Sequence, residues 1–146
     1  MTVIAWDGRF LAADKRAVCS GAHFTTTKIR RVVVADWVYL LGWTGDQDSG
    51  TMAADWFIDG ANPKKWPDCQ KDKDSWSRLI VIDRNGAKFY ERQPIATKVE
   101  DLFCAWGSGR DFALAALHLG KSAREAVEIA SLFDTGCGNG IDLLSI

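Results

Sequence analysis

Hairpins, rather than single strands, alternate with helical segments along this chain, and that rhythm argues against a doubly wound parallel sheet. The apolar runs at residues 3–6 and 10–14 flank Asp7-Gly8, a hairpin turn signal. Residues 15–19 read as a strand end that gives way to a loop at Ser20-Gly21-Ala22. Two β-rich runs, residues 32–34 and 37–41, surround a turn at Ala35-Asp36, and the apolar segment continues through Gly42 to Gly45. A short helix is expected from Asp48 or Ser49, with Met52, Ala53, Trp56 and Phe57 on its apolar face and Gly60 at its end. Residues 62–76 carry two prolines and the run Lys71-Asp72-Lys73-Asp74, and read as an exposed polar loop. Residues 79–83 and 87–91 then pair around Arg84-Asn85-Gly86. A short strand at 103–106 leads into Gly107-Ser108-Gly109, and a helix over 111–119 stops at Gly120. In the next helix Ser122 and Glu125 fit a capping box, with Ala126, Val127, Ile129, Ala130 and Phe133 as its apolar face. A glycine-rich loop over 134–140 and a closing strand over 141–146 complete the chain. The expectation is one α+β domain, residues 1–146, of antiparallel sheets covered by helices.

Composition narrows the function. The 146 residues are 47% apolar and 25% charged with a formal charge of −1, so no nucleic-acid or membrane partner is expected. No apolar stretch approaches membrane-spanning length, and the N-terminus lacks the basic region of a signal peptide, so a cytoplasmic protein is expected. Cys19, Cys69, Cys104 and Cys137 are widely spaced, with only His23 and His118 as imidazole companions. They read as free, mostly buried thiols, not as a zinc site. No Gly-x-Gly-x-x-Gly follows a strand, and no cofactor is expected.

The chemistry concentrates at the N-terminus. Loss of Met1 would leave Thr2 first, at the mouth of an apolar strand. A hydroxyl and an α-amine on one residue form a nucleophile and base pair, because the amine titrates near neutrality, at about 7.7 to 8.0. The basic segment Lys28-Ile29-Arg30-Arg31 enters a strand. The glycines of Leu41-Gly42-Trp43-Thr44-Gly45 and of Gly107-Ser108-Gly109 let backbone approach a ligand closely.

These segments, in this order, resemble the N-terminal-nucleophile hydrolases, and within them the proteasome β-subunit and HslV peptidase family. Thr2 resembles the family's N-terminal threonine. Residues 11–16 resemble its second strand, which ends in an acidic residue, here Asp14. Lys28 is similar to its active-site lysine, and Gly42 to the glycine whose N–H binds the oxyanion. Ser108 lies in a similar Gly-Ser-Gly, and Asp134 with Cys137-Gly138 is similar to an Asp-x-x-Ser-Gly element, Cys137 standing where serine is usual. The resemblance implies a four-layer αββα sandwich in shortened form, with loss of Met1 expected. It also implies a threonine-type peptidase or amide hydrolase working through an acyl ester on Thr2. In that scheme Lys28 supplies a positive field, Asp14 holds Lys28, and Gly42 stabilises the oxyanion. Ser108, Asp134 and Cys137 surround the Thr2 amine. Peptides or unfolded proteins are the implied substrates, a homo-oligomeric ring the implied assembly, and an ATPase unfoldase a partner consistent with it. A catalytically silent binding or assembly subunit and a small-molecule amidase are the alternatives on the same scaffold.

Overall fold

In the computed structural model, which describes residues 1–146, every residue of the first strand is buried, as its unbroken apolar run demands. The chain runs β1 (Val3–Trp6), β2 (Phe10–Asp14), β3 (Arg16–Cys19), β4 (Ala22–Thr25), β5 (Ile29–Val34) and β6 (Trp37–Gly45). Then follow α1 (Gln47–Ile58), 3-10 turns at Pro63–Lys65 and Asp68–Lys71, β7 (Ser77–Asp83), β8 (Gly86–Tyr90) and β9 (Thr97–Val99). The last elements are β10 (Cys104–Gly107), α2 (Arg110–His118), α3 (Ala123–Phe133) and β11 (Ile141–Ser145). The chain is α+β, as expected, and divides into two compact units. Met1–Ile29 with Asp101–Ser145 form the first, and Arg30–Glu100 with Ile146 the second.

The first unit holds a four-stranded antiparallel sheet in the order β10-β1-β2-β11. Val3 and Ala5 of β1 and Ala12 of β2 point to one face, where Ala113, Ala116 and Leu117 of α2 and Ala126, Val127 and Ala130 of α3 cover them. Alanines at these contacts bring helix and strand backbones close. Asp7 fixes the corner: its Oδ1 accepts from the N–H groups of Arg9 (2.9 Å) and Phe10 (2.7 Å), while its Oδ2 accepts from Ala123 N (2.8 Å) at the start of α3. The capping box at Ser122 and Glu125 is present. Where a loop was expected after Cys19, the chain instead turns at Ser20 (φ 50°) and Gly21 (φ 82°) and returns as β4. Two left-handed residues in succession are what a two-residue hairpin turn requires. All of β4 is exposed, so no alternation of apolar and polar residues announced it.

The second unit holds a five-stranded sheet in the order β5-β6-β7-β8-β9. The run 37–41 and its continuation to Gly45 form the single strand β6. Leu41 and Trp43 of β6 and Leu79 and Val81 of β7 pack with Ala53, Trp56 and Phe57 of α1. Met52, expected on that apolar face, is half exposed instead, because it lies off the stripe that Ala53, Trp56 and Phe57 bury; Phe133 in the first unit is likewise exposed. Asp46 caps α1 through Ser49 N (2.8 Å). The connection over 62–76 is not simply exposed: Trp66 and Gln70 are buried within it, Trp66 against Trp56 with ring centroids 4.6 Å apart. The hairpin around Arg84-Asn85-Gly86 is present, with only Gly86 at positive φ (121°). No helix is long and apolar enough to cross a membrane.

Candidate active site

Thr2 sits just before β1, buried, and is gripped by the corner between β10 and α2. Its N–H donates to Ser108 Oγ (3.2 Å), and its carbonyl accepts from Gly109 N (3.2 Å). That corner requires glycine at 107, where φ is +96° and an added Cβ would lie 2.7 Å from the Thr2 carbonyl carbon.

Asp14, at the end of β2, is fully buried and fully bonded. Its Oδ1 accepts from Val3 N (3.0 Å) and Lys28 Nζ (2.8 Å); its Oδ2 accepts from Arg16 N and Gly138 N, both at 3.1 Å. Four donors, one of them charged, satisfy both oxygens of this buried carboxyl group. Lys28, just before β5, is buried as well, and its ammonium also donates to the Met1 carbonyl (3.2 Å). The Thr2 hydroxyl donates to that same oxygen at 2.6 Å. A hydroxyl and a buried ammonium thus converge on one carbonyl, a geometry that polarises the carbonyl beside a nucleophile.

On the other side of Thr2 stands Asp134, the C-cap of α3. Its Oδ1 accepts from Gly136 N (2.8 Å) and its Oδ2 from the Cys137 thiol (3.4 Å). Hydrogen bonding by the Ser108 hydroxyl, chiefly, holds the Asp134 carboxyl below the usual range. Cys137 is buried 3.9 Å from Ser108 Oγ. Burial first, and then the charges of Asp14 and Asp134, push its thiol up to about 12, so at neutral pH it is a weak hydrogen-bond link and not a nucleophile.

The first unit therefore brings Thr2, Asp14, Lys28, Ser108, Asp134 and Cys137 into one connected cluster. Gly42 is in β6 of the second unit, opposite Ile80 of β7. Solved structures align with essentially the whole chain. The BPH protein of Thiobacillus denitrificans, in complex with epoxomicin, is 20% identical with a TM-score of 0.73, covering 100% of this chain and 98% of that one. Eukaryotic HslV from Trypanosoma brucei is 20% identical with a TM-score of 0.70, over 98% and 97% of the two chains. Anbu from Hyphomicrobium sp. strain MC1, a Gly-1 mutant, is 10% identical with a TM-score of 0.72, over 100% and 82%. This is the N-terminal-nucleophile hydrolase fold. No protein-family model and no curated protein matches the sequence.

Sequence reasoning gave no role to Arg16 and named Gly138 only as the end of the Asp-x-x-Ser-Gly-like element; both complete the cluster. Arg16 donates from Nε to Asn139 Oδ1 (3.0 Å) and from Nη1 to the Thr135 carbonyl (2.6 Å), strapping the segment after α3 to β3. Gly138 supplies the backbone N–H on Asp14. One signal for Arg16 was available: in extended chain it lies two residues from Asp14, on the same face. The thiols also differ from expectation. Only Cys137 is buried, because Cys19 falls on the exposed β3–β4 ribbon and Cys69 in the connection after α1.

Proposed function

We propose that this chain, with Met1 removed, is a threonine-type peptidase that cleaves peptide amide bonds through an acyl ester on Thr2. The observation that carries this is the shared Met1 carbonyl, which accepts from Thr2 Oγ1 (2.6 Å) and from Lys28 Nζ (3.2 Å), itself paired to Asp14. In the reaction the Thr2 amine takes the hydroxyl proton as Oγ1 bonds to the substrate carbonyl carbon. The C–N bond then breaks, the amine returns the proton to the departing nitrogen, and water clears the ester. Lys28 steadies the developing alkoxide, and Ser108 and Asp134, linked through Cys137, orient the amine. Gly42 keeps the oxyanion-donor role that the resemblance assigns, and residues 1–146 act as one catalytic domain. The proposal carries with it what the resemblance to the HslV family implies: a cytoplasmic homo-oligomeric ring, with unfolded protein as substrate and an ATPase unfoldase as partner.

The test is the intact mass of the purified protein after exposure to a peptide epoxyketone, which needs both a hydroxyl and a free amine on one residue. A mass lacking Met1 and carrying one adduct is expected, with none on Thr2→Ala. Loss of Met1 without adduct would overturn the peptidase reading in favour of a silent subunit or a small-molecule amidase. Retained Met1 would favour the silent subunit.

A further inference from the structure

At the C-terminal end of α1 the charge runs the wrong way. A helix ends in carbonyls that carry partial negative charge and favour lysine or arginine nearby. The last turn of α1 holds no basic residue; Asp55 lies in it and Asp59 is its C-cap. Asp59 N still donates to the Asp55 carbonyl (2.9 Å), so the two carboxylates stand one helical turn apart, a repulsive spacing. Asp59 belongs to none of the ion pairs of the chain, and Asp55 has only an exposed pairing with Arg30 at 3.3 Å.

Both carboxylates line a groove of about 540 Å³ beside α1. Met52, Trp56 and Pro67 give it apolar walls, and Lys65 is the one cation among its lining residues. Trp56 is fixed there: its Nε1 donates to the Asn62 carbonyl (2.8 Å) and its ring packs edge to face on Trp66 and Tyr90. The groove lies wholly in the second unit, and no residue of the Thr2 cluster lines it. Its volume is that of a small-molecule site, and two carboxylates against one ammonium leave it negative. We infer that this groove binds an amphipathic organic cation, an alkylammonium on a compact apolar body. The ammonium takes the place of the basic residue that the last turn of α1 lacks, beside Asp55 and Asp59. The body lies against Met52, Trp56 and Pro67.

The experiment is calorimetric titration of the full chain at low ionic strength, where exposed charges are least screened. The probes are tryptamine, tryptophol (the same ring without the charge) and ethylammonium (the charge without the ring). Tryptamine is expected to bind one site per chain, at least about tenfold tighter than either of the others. The double variant Asp55→Asn, Asp59→Asn loses about tenfold or more in tryptamine affinity, whereas Lys65→Gln, which removes the competing ammonium, gains about two- to threefold. Failure of tryptamine to bind, equal binding of tryptophol or ethylammonium, unchanged affinity in the double variant, or weaker binding by Lys65→Gln would each overturn the assignment.

Discussion

Gln70 in the second unit and Asp14 in the first are both fully buried, and each ties together backbone from separate segments. Gln70 Oε1 accepts from Ser77 N (2.8 Å) and Ser77 Oγ (3.3 Å), and its Nε2 donates to the carbonyls of Ser77 (3.0 Å) and Glu91 (3.3 Å). An amide can do no more, and nothing is left over. Asp14 is satisfied just as completely, but one of its donors is an ammonium with hydrogens to spare, and one of those is spent on the carbonyl that also receives the Thr2 hydroxyl. The surroundings differ in kind as well. The second unit packs Trp56, Trp66 and Tyr90 edge to face, whereas the first packs alanines around a buried ion pair. A buried neutral group that closes its own ledger is architecture; a buried charge that passes a hydrogen bond onward is a candidate for chemistry.

Substituting Lys28 probes that difference most severely. Lys28→Ala is expected to cut the rate of epoxyketone labelling and of turnover by about a hundredfold or more, the scale of losing a preorganised electrostatic partner. Gln70→Ala, measured per folded molecule, should leave labelling within about twofold. A Lys28→Ala rate within tenfold of wild type would place the ammonium outside the reaction.

Stability comes next. Asp14→Ala strands the Lys28 charge and three backbone N–H groups, and should cost about 3 to 5 kcal/mol in urea unfolding. Gln70→Ala abandons neutral partners only, at about 1 to 3 kcal/mol. Equal costs would mean that charge is not what distinguishes the two sites. Within the first unit, Arg16→Met removes the strap to Asn139 and Thr135. It should cost about 1 to 2 kcal/mol and raise hydrogen exchange across residues 134–139.

Much of this architecture was legible wherever a local signal sat on a half-buried element. Asp7-Gly8, the Asn85-Gly86 turn and the Ser122 capping box each mark a boundary that the structure shares. The hairpin β3–β4 was not legible, because an exposed ribbon has no core to impose a period. Neither was β9, whose three residues Thr97–Val99 are too few to show one. Gln70 and Trp66 were hidden by the charged run beside them, although one buried face on a short turn is enough to seat both. Six of the seven expected site residues meet in one cluster: the register of β1, β2 and β10 brings Thr2, Asp14 and Ser108 together, and Lys28 reaches them from the segment before β5, Asp134 and Cys137 from the turn after α3.

The smallest effect concerns Cys137, where the charged side of the comparison meets a thiol. Burial raises its pKa from the ordinary 9.0 to about 12, so the folded chain holds a proton that the unfolded chain releases. Stability from this residue is therefore complete below about pH 9 and declines as pH rises from there toward 12, by no more than about 1.4 kcal/mol per pH unit. Cys137→Ser, whose hydroxyl does not titrate in that range, should flatten this alkaline limb in urea unfolding followed at pH 8 and pH 10, and should keep epoxyketone labelling. Native alkylation with iodoacetamide near pH 8, read by peptide mass mapping, gives the companion result. Cys19, exposed on β3, reacts, whereas Cys137 stays unmodified until the chain unfolds. Rapid alkylation of Cys137 in the folded protein would show that the thiol is neither sealed off nor raised, and would leave Ser108 and Asp134 without the buried link between them.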